Sequence, residues 1–371
     1  MILIDVCELI VDCPHSTAND EGAGYPLIRT PNVGKGRLIL DGVHRVSKQV
    51  YDVRNARAVP KAGDLILARE APAGNVAIIL DGQEVCLGQR TVLIRPDKSK
   101  VNPQYLTYYL LAPYAQHELT SAANGATVAH VNMPKIRGLK INLPDIQEQN
   151  RIAGILSAYD DLIATNQKQI ALLEEAAQRI YKEWFIDFRF PGYEGTTFDN
   201  GIPIEWHYGE LGEVAQFRRG KTITKDDAIA GDVPVIAGGL TPAYYHNQSN
   251  TSAPVVTVSG SGANAGFTRM YHIRVWASDC SFIDSFSTKF IYFVYCYLKA
   301  NKQSIDNLQK GSAQPHVYAK DLNQLRALIP SLDIVESFHE LVKPLFDRIA
   351  TLEKQVLLLT EARERILPQL I

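Results

Sequence analysis

Two stretches of the chain carry a regular spacing of apolar positions that the rest lacks. In the first, Ile152, Leu156, Tyr159, Ile163, Asn166, Ile170, Leu173, Ala177, Ile180 and Trp184 step alternately by four and three, and nine of the ten are apolar. In the second, Phe338, Val342, Leu345, Ile349, Leu352, Val356, Leu359, Arg363, Ile366 and Leu370 repeat the spacing, again with nine of ten apolar. A sustained 3.5-residue period predicts helices that supercoil about a shared seam. Few Gly or Pro and many Ala, Leu, Glu, Gln, Lys and Arg extend the predicted helices over 146–187 and 331–371. Pro344 predicts a break near the start of the second helix, and Pro368 fraying at its end. The intervening segments carry short β-type runs, such as Leu65-Ile66-Leu67 and Val255-Val256-Thr257-Val258, punctuated by Gly, Pro and Asn.

The two halves are copies of one plan. Shifted by 186 positions, residues 161–180 fall on 347–366 with twelve identities in twenty, without gaps. The same shift carries Gly125 onto Gly311, His130-Val131 onto His316-Val317, Leu139 onto Leu325 and Pro144 onto Pro330. This gives an α+β chain of four parts: a mixed domain over 1–145, a helical spacer over 146–190, a second mixed domain over 191–330 and a second helical spacer over 331–371. The simplest partner for each helix is the other one, with Ile152, Leu156, Ile163, Asn166, Ile170 and Leu173 meeting Val342, Ile349, Leu352, Val356 and Leu359. Periodicity does not fix their orientation. An antiparallel coiled coil, the arrangement adopted here, would put the domains at opposite ends of a rod, related by a pseudo-twofold axis. Asn166 either sets the register or is a solvated polar position.

Composition narrows the function classes. With 46% hydrophobic residues in 371, the chain can bury cores and is not mainly disordered; a formal charge of −2 excludes a non-specific polycation. That total hides differences: 16 basic and 14 acidic residues in 1–145, 5 and 7 in 146–190, 12 and 12 in 191–330, and 5 and 7 in 331–371. The start, MILIDVCELIVDC, lacks the basic region of a signal peptide, and no run of 18 apolar residues suggests a membrane span. Cys7, Cys13, Cys86, Cys280 and Cys296 are scattered, odd in number and without a CxxC, which fits reduced thiols in a cytoplasmic protein.

Leu143-Pro144-Asp145-Ile146-Gln147-Glu148-Gln149, followed by Arg151-Ile152, opens the first helix; the second opens Ile329-Pro330-Ser331-Leu332-Asp333-Ile334-Val335 and loses the Glu-Gln pair. Two mixed domains, each closed by such a helix, resemble the DNA specificity subunit of type I restriction-modification systems. The resemblance covers essentially the whole chain. It implies two target recognition domains, each reading half of a split double-stranded DNA site, and helices that space the halves and carry two methyltransferase subunits. S-adenosylmethionine would bind those partners, and ATP and Mg a motor-nuclease subunit, leaving this chain non-catalytic and without a cofactor. From Ile152 to Trp184 is 32 steps, about 48 Å of helix, somewhat more than one DNA turn of about 34 Å. The alternatives are a coiled-coil scaffold whose domains bind protein, or the same architecture in a methylation-only or fused nuclease-methyltransferase system.

Near-matches to catalytic motifs fail on context. Asn102-Pro103-Gln104-Tyr105 approaches an adenine-methyltransferase loop, but it opens an apolar run, so Asn102 is expected as an N-cap with Pro103 in the first turn. Ser259–Gly266 is followed by a strand-like run rather than the helix a nucleotide site needs. Gly220-Lys221-Thr222 lacks the first P-loop glycine, since position 215 is Ala215. His339-Glu340 has no second histidine at HExxH spacing, so no metal site is expected.

DNA reading needs Lys and Arg for phosphates and Arg, Asn, Gln, Ser or Thr for base edges. The first-domain candidates are Lys35, Arg37, Arg69, Gln89 and Arg90. Those of the second are Arg218, Arg219, Lys221, Tyr245, Asn247, Ser259, Ser261, Asn264 and Arg269. The loops Ala68–Asn75 and Ser259–Gly266 occupy similar places in the two copies. For any one residue, a solvated surface role is as good an explanation as base contact. Tyr108, Tyr109, Tyr292, Tyr295 and Tyr297 lie on apolar helices and are expected in cores.

Overall fold

A computed structural model describes residues 1–121, 130–310 and 315–371; Gly125 and Gly311 of the repeat lie outside them. In chain order, the first half contains β1 (Cys7–Asp12), β2 (Tyr25–Ile28), β3 (Gly36–Arg37), β4 (Arg45–Val46), α1 (Lys48–Arg54), β5 (Leu65–Ala68), β6 (Val76–Ile78), β7 (Cys86–Leu87), β8 (Thr91–Pro96), α2 (Pro103–Leu111), α3 (Pro113–Thr120), α4 (Met133–Arg137) and the long α5 (Ile146–Phe185). The second half contains β9 (Phe198–Asp199), β10 (Ile202–Pro203), β11 (His207–Glu210), β12 (Arg218–Arg219), β13 (Val233–Ile236), β14 (Tyr244–His246), β15 (Val255–Ser259), β16 (Thr268–Tyr271), β17 (Trp276–Ala277), β18 (Cys280–Asp284), α6 (Ile291–Ala300), α7 (Lys302–Asp306), α8 (Ala319–Asn323), β19 (Arg326–Ile329) and the long α9 (Leu332–Leu370).

The repeat seen in sequence is also a repeat of topology. An antiparallel run β1-β8-β5-β6 in the first half matches β12-β18-β15-β16 in the second, and the first adds β3 parallel to β6. A smaller sheet, β4-β2-β7, matches β14-β13-β17; in both, the middle strand is antiparallel to one neighbour and parallel to the other. Each main sheet packs on an apolar helix. Asn102 caps α2 by accepting from Tyr105 N–H at 3.0 Å. The five expected core tyrosines are buried.

The chain divides into two compact units, Met1–Asn166 with Gln355–Ile371, and Gln167–Lys354, so each unit holds part of both long helices. Within the first unit, Asn166 donates to Gln355 at 3.3 Å and Arg363 donates to Asp160 at 2.5 Å. Residue numbers rise on one helix as they fall on the other, so the pairing is antiparallel. The second unit gives the same sense, with Arg348 donating to Gln169 at 3.4 Å and the Trp184 and Phe338 rings 5.8 Å apart. All twenty seam positions are buried or half-buried.

Each helix portion also belongs to a domain core. Ile152 and Leu156 join the α2 side of the first domain, with Ile366, Leu367 and Leu370 against them. Tyr181, Phe185, Phe293 and Phe338 interlock in the second, the Phe185–Phe293 centroids being 4.9 Å apart. The expected break at Pro344 does not occur: α9 is continuous from Leu332 to Leu370. Pro344 lies on the exposed face, while Val342, Phe346 and Ile349 beside it are buried. An interior proline costs about 3 kcal/mol, and burying each such side chain returns roughly 1.5–3 kcal/mol, so packing holds the helix through it.

The copies differ where domain meets helix. In the first unit the buried Asp160 accepts from Tyr108 Oη at 2.6 Å as well as from Arg363. Burial and the Asp160 charge push the Tyr108 phenol up. Gly36 passes so close that a Cβ there would lie 2.9 Å from Asp160 Oδ2. The shift of 186 puts Phe346 at the Asp160 position and Ala177 at that of Arg363, and Phe346 stacks on Tyr292 at 4.4 Å. One junction is ionic, the other aromatic.

Candidate nucleic-acid interface

The hydrogen bonds at the ends of the central strands align the two domains residue by residue. Val131 N–H donates to Arg69 O at 3.0 Å and Val317 N–H to Gly260 O at 3.1 Å; Arg69 N–H donates to Arg90 O at 2.8 Å and Gly260 N–H to Asp279 O at 3.1 Å. Cys13 N–H donates to Thr91 O and Gly220 N–H to Cys280 O. Asp12, Arg69, Glu70, Arg90 and His130 of the first domain thus correspond to Arg219, Gly260, Ser261, Asp279 and His316 of the second. Both sets sit where the β5–β6 and β15–β16 hairpins meet the next strand end.

In the first domain the set is a chain of ionic contacts. Arg69 is buried; its Nη1 meets both Asp12 oxygens at 2.9 and 2.8 Å, its Nε donates to Val131 O at 2.8 Å, and its Nη2 lies 2.8 Å from His130 Nε2. His130 Nδ1 lies 2.5 Å from Glu70, whose other oxygen meets the exposed Arg90 at 3.0 Å. Arg69 therefore holds the frame, both ring nitrogens of His130 are engaged within it, and the exposed Arg90 presents its remaining guanidinium donors outward.

The second domain is more open. A cavity of about 270 Å³ is lined by Arg219, Ser261, Asp279, Ser281, His316 and Tyr318 among others. Ser261 Oγ donates to Asp279, and His316 stacks on Tyr318 at 5.8 Å. Arg219 is exposed and makes no ion pair among the described residues. Where the first domain has an acid (Asp12) the second has a base, and where the first has Arg90 the second has Asp279. At these two positions the charge is inverted between the copies, while Arg69 and Glu70 have the neutral counterparts Gly260 and Ser261.

Other candidates fall elsewhere. Lys35 and Arg37 face the helices of their own unit, Arg37 meeting Asp161 at 2.6 Å and Lys35 meeting Glu364 at 3.6 Å. Gln89 donates to His15 O at 3.4 Å, next to Arg90. Arg218 lies over the Phe282 ring and meets Asp284 at 3.0 Å. Burial pushes the Asp284 carboxyl up, but the Ser287 hydroxyl, Ser252 N–H and Arg218 together hold it below its ordinary value. Lys221 is exposed just beyond β12, and Tyr245 and Asn247 are exposed on and after β14. Ser259 is buried, Asn264 donates to Gly238 O at 3.3 Å, and Arg269 donates to Leu240 O at 3.3 Å over the Tyr271 ring. Sequence reading missed Asp12, Glu70, Asp279 and both histidines as site residues, although His130 and His316 stand among the repeat identities.

Comparison with known proteins decides the family. The model of the type I restriction modification DNA specificity domain matches residues 3–175 and 203–359. The chain belongs to that family. It is 26% identical over 364 aligned positions to the type I restriction enzyme MjaIX specificity subunit of Methanocaldococcus jannaschii, covering 90% of this chain and 82% of that protein. The putative MjaX specificity subunit of the same organism is also 26% identical, over 100% of this chain and 91% of its own length. The crystal structure of a type I restriction-modification S subunit from M. genitalium shares the fold, with a TM-score of 0.57 at 16% identity, covering 100% of this chain and 95% of that one. The specificity role is DNA sequence recognition. Among the described residues, no helix of this specificity subunit is long and apolar enough to cross a membrane, and no three His, Cys, Asp or Glu side chains are grouped to hold a metal.

Proposed function

We propose that this specificity subunit reads a bipartite double-stranded DNA site, each domain taking one half across a spacer whose bases are not read. The observation that carries the reading is the inverted pair of strand-end sites. Two domains of one topology place Asp12, tied to Arg69, and the exposed Arg90 at these positions in one case, and the exposed Arg219 with Asp279 in the other. Because base edges are told apart by the order of donors and acceptors, inverted polarity at one place suits two different half-sites. The modest basic excess of the first domain and the neutrality of the second make non-specific attraction weak. Much of the grip would then come from partners: two methyltransferase subunits that bind S-adenosylmethionine, docked on the helices and adjoining surfaces, and a motor-nuclease that uses ATP and Mg. The chain itself supplies the address and no chemistry, in the cytoplasm.

The helices would set the spacer. Inserting seven residues in register within 164–178 adds about 10 Å of helix, or roughly three base pairs. Sequencing the sites methylated by the assembled complex is expected to show a longer spacer between unchanged half-sites. Altered half-site bases would show that the domains do not read independently.

A further inference from the structure

A cavity in the first domain, about 180 Å³, opens beside the strand-end site and shares Arg90 with it, with Gln89 next to Arg90 in its wall. Thr17, Thr30, Arg29, Arg54 and Gly88 are also in its wall, and no Asp or Glu lines it. Arg54 ends α1 and is 5% exposed. It donates from Nε to Leu87 O at 2.6 Å and from Nη1 to Ser16 O at 3.1 Å, and its Nη2 is buried without a partner. Arg29 Nε is likewise buried and unpartnered. Glu70, on Arg90, is the one carboxylate within ion-pair distance of any of the three arginines among the described residues.

Such a cluster is costly as it stands. A buried guanidinium held only by neutral carbonyls keeps its desolvation penalty without a counter-charge, and two further cations on the same wall add repulsion. An anion removes both costs, and the planar guanidinium fork suits the oxygens of a phosphate group. The fold does not require this arrangement. The parallel pair β13–β17 repeats β2–β7, down to Ser278 N–H on Ile236 O at 2.8 Å against Gly88 N–H on Ile28 O at 2.7 Å. Yet Ala237 stands where Arg29 does, and no helix between β14 and β15 supplies a counterpart to Arg54.

We propose that the cavity walled by Arg29, Arg54 and Arg90 is a binding site for a phosphate group, present in the first domain only. Its two sources are the DNA backbone, which rests on the DNA reading above, and a free phosphate, which does not. A backbone phosphate seated there would register the duplex against the neighbouring base-reading side chains, since phosphate contacts position and base contacts specify.

The full chain, alone and with its methyltransferase partners, is compared with Arg29→Gln and Arg54→Met; Arg29→Gln, at a half-buried position, keeps the test valid if Arg54→Met fails to fold. Inorganic phosphate is expected to raise the melting temperature of the wild type and not of Arg29→Gln. In the DNA arm, affinity in Arg29→Gln is expected to fall equally for cognate and unrelated duplexes, and the slope of log K against log salt to shrink by about one. A phosphate effect without a change in salt slope supports the site and assigns it to free phosphate. A changed slope with cognate preference intact supports it and assigns it to the backbone. If neither phosphate stabilisation nor salt slope responds to Arg29→Gln, the site is overturned, whether or not the wild type binds DNA specifically.

Discussion

Asp160→Ala is expected to destabilise the first unit by about 3 kcal/mol, because it removes the buried acceptor and leaves Arg363 as an uncompensated charge in a half-buried position. Tyr108 loses its acceptor in the same step, and the ionic junction between first domain and helix opens. The readout follows from where the probes lie. Trp184, Trp206 and Trp276 all belong to the second unit, whereas the buried Cys13 and Cys86 belong to the first and Cys280 and Cys296 to the second. Labelling of Cys13 and Cys86 in native conditions should accelerate on the order of 100-fold, with a smaller change at Cys280 and Cys296 and in the tryptophan-detected transition. The double variant Asp160→Ala, Arg363→Met should recover most of the loss, since removing both charges together is often near neutral. Unchanged labelling of Cys86 in the single variant would show that the pair does not hold the junction.

Arg219→Ala should relax discrimination at one base pair in the half-site read by the second domain. A bidentate arginine contact to a base edge is worth about 1–3 kcal/mol of discrimination, or roughly 5- to 160-fold. Arg219 has the attributes such a contact needs: it is exposed, free of ion pairs among the described residues, and placed at the strand end over the cavity that holds Asp279 and His316. Deep sequencing of methylated sites separates the outcomes: one degenerate position beside intact neighbours supports base reading, whereas a uniform loss across all sequences assigns Arg219 to the phosphate backbone.

The helical frame was legible because a 3.5-residue period depends on local order alone, and its seam is buried or half-buried throughout. The repeat was legible for the same reason, and it held beyond sequence identity, down to equivalent hydrogen bonds at Leu139 and Leu325, which accept from Leu3 and Leu211 at 2.9 Å each. Two-residue strands such as Arg45–Val46 and Trp276–Ala277 were not legible, since pairing across the sheet, not local preference, makes them strands. Pro344 misled because the local rule that breaks a helix was outweighed by flanking core packing. The site was harder still. A list of arginines could not distinguish Arg69, buried as a frame, from Arg90 and Arg219, which face outward, because that difference comes from Asp12 and Val131, distant in sequence.

The central claim, that one chain carries two independent half-site readers, is tested most directly by a protection footprint of the complex assembled with the methyltransferase subunits proposed as its partners. Two short protected segments, separated by a spacer whose bases can be changed freely at constant length, are the predicted result. A single continuous footprint, unaffected by substitutions in either flanking segment, would contradict it.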